Sequence, residues 1–449
     1  MAVYHFPPGF VWGTATASFQ IEGAAFEDGR SPSIWDTFCR KPGAILDKSN
    51  GDVADDHYHR VEEDVALMAE LGVTAYRFSI AWPRILPDGV GAVNQAGLDW
   101  YKRLVDTLLQ HNITPFATLY HWDLPQILSD RGGWTQRFIT DAFVEYADAV
   151  SKELSDRVKY WMTLNEPWVS SYLGYGIGIH APGIAHWESY LRAAHHLLLA
   201  HGKAVPVLRA NGDGDTKVGI VNALTWADPA TDSEADKAAA ARYYSAINEW
   251  FCDPPLKGRY PDSLINAVGR DLIPIEPGDM EIIAAPIDFL GVNYYQRAVL
   301  VYDPDQPVVR ARGIRVETSE YTHMDWEVWP QGLYDLLMRL TADYGLPLFI
   351  TENGAAFEDE VTPDGKIHDA RRTAYYQSHL AAAHRAIADG APLKGYFAWS
   401  FMDNFEWGYG YSRRFGLFYV DYNTQQRIMK DTAVWYAQTV DANGFTLEN

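Results

Sequence analysis

The sequence predicts an α/β protein folded as one (β/α)8 TIM barrel spanning residues 1–449, with long loops after the strands. Three observations carry that expectation. Short apolar runs rich in β-branched and aromatic residues alternate with longer stretches of helical patterning. There are eight such runs, the number that closes a barrel. Carboxylates and other polar groups recur just beyond the ends of the runs, where a barrel of this kind gathers its chemistry.

In chain order the expected strands are 10–17, 75–80, 114–119, 160–164, 218–223, 289–293, 348–351 and 395–399. Helices are expected at 57–71, 94–111, 135–154, 189–210, 233–250, 330–343, 370–388 and 431–439, with Asn94 as the N-cap of the second. Irregular insertions are expected at 30–55, 174–187, 302–326 and 404–421. A barrel with such insertions reaches 449 residues as one domain, so the length does not require a second.

The formal net charge of −22, with no cluster of Lys and Arg, argues against nucleic acid as a partner. Cys39 and Cys252 stand far apart in no zinc-like spacing, so neither a disulfide framework nor a metal site is expected. No apolar run approaches a membrane span, and the first residues lack a leader pattern; cytoplasmic residence is the default expectation. No cofactor is expected, and oligomeric state is left open. The 16 Trp and 27 Tyr serve mainly the core, but their faces also suit sugar rings.

After the fourth strand the chain reads Thr163-Leu164-Asn165-Glu166-Pro167, and after the seventh Ile350-Thr351-Glu352-Asn353-Gly354. A lone Glu at a strand end caps a helix or pairs with an arginine as readily as it does chemistry. Two of them, on opposite sides of an eight-membered ring, face each other across one pocket. Cleaving a glycosidic bond needs such a pair, because positive charge grows at the anomeric carbon while the leaving oxygen turns negative. An ionised carboxylate raises the pKa of its neighbour, which lets one Glu keep its proton near neutral pH. Arg77, at the end of the second strand, is placed either to keep Glu352 ionised or to make a structural ion pair.

The run Phe10 to Gly23 (FVWGTATASFQIEG), the TLNEP run, the ITENG run and Asp403-Asn404-Phe405-Glu406-Trp407 together resemble the family 1 glycoside hydrolases, the β-glucosidases, in order from about residue 6 to about residue 438. The resemblance implies a retaining mechanism with Glu166 as acid/base and Glu352 as nucleophile. It implies a glycone pocket of Gln20, His121, Trp122, Asn165, Asn293, Trp399, Glu406, Trp407 and Phe415, with Gln20 and Glu406 each gripping two hydroxyls. Tyr295 would both orient Glu352 and meet substrate. Trp168, Leu173, His180 and Trp326 would stand on the outer, aglycone side. Implied partners are small β-glycosides and oligosaccharides, cellobiose among them, with galactosides and fucosides also accepted. Relatives that act on 6-phosphorylated glycosides need a cationic cradle near Glu406; here only Arg413-Arg414 speaks for it, and Phe415 stands where they carry Tyr. Receptor-like barrels of the same fold lack one carboxylate, whereas both are present here.

Overall fold

The computed structural model describes residues 2–447. Eight parallel strands close into a barrel: Val11–Ala15, Ala75–Ser79, Thr114–Tyr120, Tyr160–Asn165, Lys217–Ala223, Phe289–Asn293, Leu348–Asn353 and Leu393–Trp399. Each pairs with its successor in sequence, and the eighth returns to the first. All eight expected runs are therefore barrel strands. They are buried on both faces, which is why they read as continuous apolar segments and not as alternating ones.

Large and small residues interlock inside the barrel. Phe116 stacks on Tyr160 at 4.1 Å between ring centroids and meets Phe397 at 4.9 Å and Phe349 at 5.6 Å. Glycines make room for these rings. A Cβ on Gly13 would lie 2.4 Å from the Phe397 ring, and one on Gly219 would lie 2.5 Å from that of Phe289. This plug fills the barrel toward the N-terminal ends of most strands, so the polar groups at their C-terminal ends line a pocket with a floor.

The outer helices follow the expected order, with local differences. Asn94 is the N-cap by position, but its side chain does not cap; its amide donates to the carbonyls of Asp28 and Arg84 at 2.7 and 2.9 Å, tying two loops together. The first expected helix begins only at Val61, and the third at Ile139. The expected 233–250 helix is three pieces, Glu234–Tyr244, a π-helical turn Ser245–Glu249, and Trp250–Lys257.

The insertions are less irregular than expected. Ala311–Ile314 pairs with Arg297–Tyr302, which pairs with Trp226–Pro229, giving a three-stranded sheet outside the barrel. Phe418–Asp421 forms a hairpin with Gln426–Met429. Ala2–His5 pairs antiparallel with Gly444–Leu447, joining the two ends of the described chain. No helix among the described residues is long and apolar enough to cross a membrane.

Gly202 tests the packing. It lies within the helix Trp187–Asn211, where alanine is intrinsically favoured by about 1 kcal/mol. A Cβ there would sit 2.1 Å from the carbonyl oxygen of Ile282, a backbone atom that cannot swing aside. Overpacking therefore outweighs propensity, and Gly202→Ala should lower stability by roughly 1–3 kcal/mol. A lower midpoint of thermal unfolding checks this; a raised one would show that the Ile282 segment yields freely.

Candidate active site

Arg77 is completely buried and ends in the middle of the pocket floor. Its guanidinium donates to Glu352 Oε1 at 2.6 Å, to Asn165 Oδ1 at 2.6 Å, to Thr118 Oγ1 at 3.2 Å and to the Thr351 carbonyl at 3.3 Å. It thus joins the second, third, fourth and seventh strands. The other oxygen of Glu352 accepts from the Tyr295 hydroxyl at 2.7 Å. Of the two readings open for Arg77, the geometry contains both: an ion pair, and a carboxylate held by that ion pair at the pocket floor.

Glu166 has no cation in contact. Its Oε1 accepts from Asn293 Nδ2 at 2.7 Å, and Asn293 is fixed in turn by Thr351 Oγ1, which donates to its Oδ1 at 2.7 Å. The same Asn293 amide reaches Asn165 Oδ1 at 3.1 Å. Asn293 thus positions Glu166 through its amide, with both polar atoms of its side chain meeting protein groups. Glu166 adopts φ +50° between the fourth strand and Pro167, a left-handed conformation rare for a residue with a side chain. Such strain concentrates at sites of chemistry.

These surroundings separate the two acids. Burial, and then the charge of Glu352, push the Glu166 carboxyl up to about 8. Burial also raises Glu352, but Arg77 and Tyr295 oppose it. A proton shared by the pair therefore resides on Glu166, leaving Glu352 as the carboxylate.

His121 is neutral, its pKa driven well down by burial and by Arg77. Asn165 Oδ1 is taken by Arg77, so its amide nitrogen is the donor to His121 Nε2 at 3.0 Å. The proton of His121 must then sit on Nδ1, which has no partner in the protein. Gln20 spends both amide hydrogens on Asn404 Oδ1 and the Phe405 carbonyl, each at 2.9 Å. Its Oε1 alone is unpaired, an acceptor buried without a partner. Glu406 Oε2 is likewise buried without a partner. Three buried polar atoms that the protein leaves unsatisfied line one pocket, where each has a cost unless a ligand meets it.

The aromatic residues divide. The Trp399 ring lies 6.0 Å from His121 and nearly parallel to it. Trp122 gives its indole N–H to the Asn165 carbonyl at 3.0 Å, and Trp407 packs on Trp122 at 4.4 Å and Trp35 at 4.6 Å; both shape the wall. His180 stands against that wall, 5.2 Å from Trp35 and 5.7 Å from Trp122. Leu173 is half-buried and accepts the His180 N–H at 3.1 Å. Trp326 stands 5.0 Å from Tyr295 and 6.0 Å from Phe415, beside Glu352. Trp168 turns away onto Tyr172. Arg414 is committed to Asp403 at 2.6 Å and to the faces of Tyr419 and Tyr422, so half of the cationic pair that favoured phosphate is unavailable.

Sequence reasoning missed Thr118, Thr351 and Asn404, which hold Arg77, Asn293 and Gln20. Thr118 and Thr351 were visible as hydroxyls inside otherwise apolar strands. Among the described residues, no group of three or more His, Cys, Asp or Glu is arranged to hold a metal ion.

Residues 3–445 match the family model described as glycosyl hydrolase family 1. Beta-glucosidase A of Acetivibrio thermocellus is 48% identical over 99% of this chain and all of its own length. A bifunctional beta-D-glucosidase/beta-D-fucosidase of Bifidobacterium breve is 45% identical over 97% of this chain and 98% of its own. Among solved structures, a family 1 b-glucosidase from Thermotoga maritima superposes with a TM-score of 0.96 at 46% identity, covering both chains completely.

Glu406 should make the protein less stable as pH rises. Burial, then the Glu352 charge, push its carboxyl up to about 8, against roughly 4.3 in the unfolded chain. An acid whose folded pKa is raised contributes fully below the unfolded value, and that contribution is lost as pH climbs from about 4.3 through 8. Glu406→Gln should therefore unfold at the same temperature as the parent near pH 4 and at a higher one at pH 8.5. Equal midpoints at both pH values would contradict the raised pKa.

Proposed function

The chain belongs to glycosyl hydrolase family 1, and from that premise we propose that it is a retaining β-glycosidase that removes terminal β-D-glucosyl residues from oligosaccharides and from aryl or alkyl β-glucosides. The observation that carries this reading is the asymmetry of the two buried glutamates. One is held by Arg77 and a tyrosine; the other is free of cations and kept protonated.

In this reading Glu352 attacks the anomeric carbon. Arg77 and Tyr295 hold it ionised and aligned. Glu166 gives its proton to the departing oxygen, so no free alkoxide has to leave. Once a glycosyl ester stands on Glu352, that carboxylate's charge is gone, and the cause that raised Glu166 weakens. Glu166 then becomes the base that takes a proton from water, and water attack returns the sugar with its β configuration. Retention requires the two carboxyl groups about 5–5.5 Å apart. His121 Nδ1–H supplies a donor, Gln20 Oε1 an acceptor, and Glu406 a carboxyl to the glycone hydroxyls, while Trp399 gives the ring a flat face. Asn165, fixed by Arg77 and His121, is the group nearest the chemistry for the 2-hydroxyl. Few of these contacts single out one epimer, and the relative named for both glucosidase and fucosidase activity supports a broad glycone range.

The first experiment is release from aryl β-glucoside, β-galactoside and 6-phospho-β-glucoside, with NMR observation of the anomer formed first. The β anomer from the unphosphorylated sugars is expected; the α anomer, or activity on the phosphorylated substrate alone, would refute the proposal.

Two substitutions separate the roles. Glu166→Ala should lose about 10²–10⁴-fold on glycosides with poor leaving groups, yet still form the glycosyl-enzyme with activated aryl glycosides. Equal loss on both classes would remove Glu166 from the proton-donor role. Glu352→Ala should abolish hydrolysis, and a slow 2-fluoro glycoside should label Glu352 in the parent enzyme. In the parent, kcat/KM should fall as pH rises through about 8, where Glu166 loses the proton it must donate.

A further inference from the structure

The stretch from Trp399, which ends the eighth barrel strand, to Trp407, which opens a short helical turn, contains no helix and, among the described residues, one isolated bridge, from Met402 to Phe418. Its course is therefore set largely by side-chain contacts. Asp403, in the middle of it, is completely buried. Its Oδ1 accepts from the Lys430 ammonium at 2.7 Å and from the Gly416 N–H at 2.9 Å, and its Oδ2 accepts from Arg414 at 2.6 Å. The two residues that follow are the ones on which Gln20 leans. Asn404, its amide nitrogen donating to Ser400 Oγ at 2.8 Å, turns its Oδ1 to the Gln20 amide, and Phe405 offers Gln20 its carbonyl.

Lys430 comes from elsewhere in the chain, between the hairpin strand Gln426–Met429 and the last helix, Asp431–Asp441. It too is completely buried, and its ammonium also donates to Asp359 Oδ2 at 2.6 Å, in the loop that follows Glu352. Arg372 secures that loop further, donating to the two oxygens of Asp359 at 3.0 and 2.8 Å and to the Ala355 carbonyl at 3.1 Å. Asp359, Asp369 and Asp403 thus face Arg372, Arg414 and Lys430, and the cluster is neutral as a whole. Such a cluster stays out of water only while each member is matched, because removing one cation leaves a buried carboxylate uncompensated.

One lysine therefore ties the loop after the nucleophile's strand to the loop that holds Gln20. Glu352 does not need this support, since Arg77 and Tyr295 grip its carboxylate directly. Gln20 has no such anchor on a barrel strand; both hydrogen bonds of its amide nitrogen go to Asn404 and Phe405. Disturbing Lys430 is felt at Gln20 before it is felt at the nucleophile.

We propose that Lys430 is a positioning residue for the glycone subsite: by holding Asp403 against Asp359 it fixes Asn404 and Phe405, and through them the aim of Gln20 Oε1 at the sugar. The proposal rests on the reading of that pocket as a glycone site.

Lys430→Met keeps much of the side chain's length and removes the ammonium. The double variant Lys430→Met/Asp403→Asn removes one charge of each sign, so the cluster stays neutral. Hydrolysis of 4-nitrophenyl β-glucoside and calorimetric binding of deoxynojirimycin, a glucose-shaped ligand, are measured at a temperature where circular dichroism shows each variant folded. In both variants KM and the ligand Kd should rise about tenfold while kcat falls by less than about threefold. The effect should pass through Gln20: in a Gln20→Met background, the same double change should weaken ligand binding by no more than about twofold further, whereas independent defects multiply. A folded double variant within about twofold of the parent in KM and Kd would overturn the proposal, as would a loss confined to kcat or losses that multiply with Gln20→Met. If Lys430→Met does not fold, the double variant decides; if neither folds, Lys430 is a requirement of the fold and the positioning role falls. A parent that hydrolyses no β-glucoside defeats the glycosidase reading, while ligand binding to parent and variants still decides the role of Lys430. A parent that binds no glucose-shaped ligand has no glycone subsite to position, which overturns this proposal as well.

Discussion

The guanidinium of Arg77 is the contact on which the site's geometry depends. A buried cation must be matched, and leaving one unmatched costs about 3–5 kcal/mol. Arg77 is matched by Glu352, Asn165, Thr118 and the Thr351 carbonyl, which come from three other strands of the barrel. The electrostatic cost of burying it thus fixes the rotamers of Glu352 and Asn165. Asn165, held at its oxygen, has only its nitrogen left for His121, and that choice determines which His121 nitrogen carries the proton. Tautomer, amide orientation and carboxylate position follow in sequence from one ion pair.

Placing two acids in one buried pocket raises the pKa of both, and Arg77 opposes that rise most directly at Glu352. With it, the acids differ because their neighbours differ: a guanidinium and a phenol on one side, a neutral amide on the other. Glu406 is a third buried acid without a cation in contact, and its raised pKa carries a cost in stability as pH rises. The site is a region where several residues would be more stable as something else, and the aromatic plug and outer helices offset that cost.

Much of this was legible in the sequence. All eight strands were found because a parallel barrel buries both faces of each strand, leaving unbroken apolar runs. Glu166, Glu352 and Arg77 stood out in the sequence because strand ends point into the pocket, and Tyr295 stood out only through the family resemblance. Less visible was anything that depends on which hydrogen bond a side chain makes. Asn293 and Gln20 look like substrate ligands by type, and only coordinates show that Asn293 and the Gln20 nitrogen are engaged by Glu166, Asn165, Thr351, Asn404 and Phe405. Asn94 looked like a cap, and its amide instead joins two loops. The outer sheet was missed because Trp226–Pro229 and Ala311–Ile314 are four residues each, too short for a pattern, and each pairs with Arg297–Tyr302.

The antiparallel pairing of Ala2–His5 with Gly444–Leu447 has a topological meaning. It brings residues 2–5 and 444–447 together before the first strand enters the barrel, so the described backbone is already nearly a loop. For such a chain the point of opening is a matter of gene order more than of architecture. A short peptide joining the ends, with the break moved to an exposed turn, would give a circular permutant in which the barrel order and the Arg77 cluster are untouched.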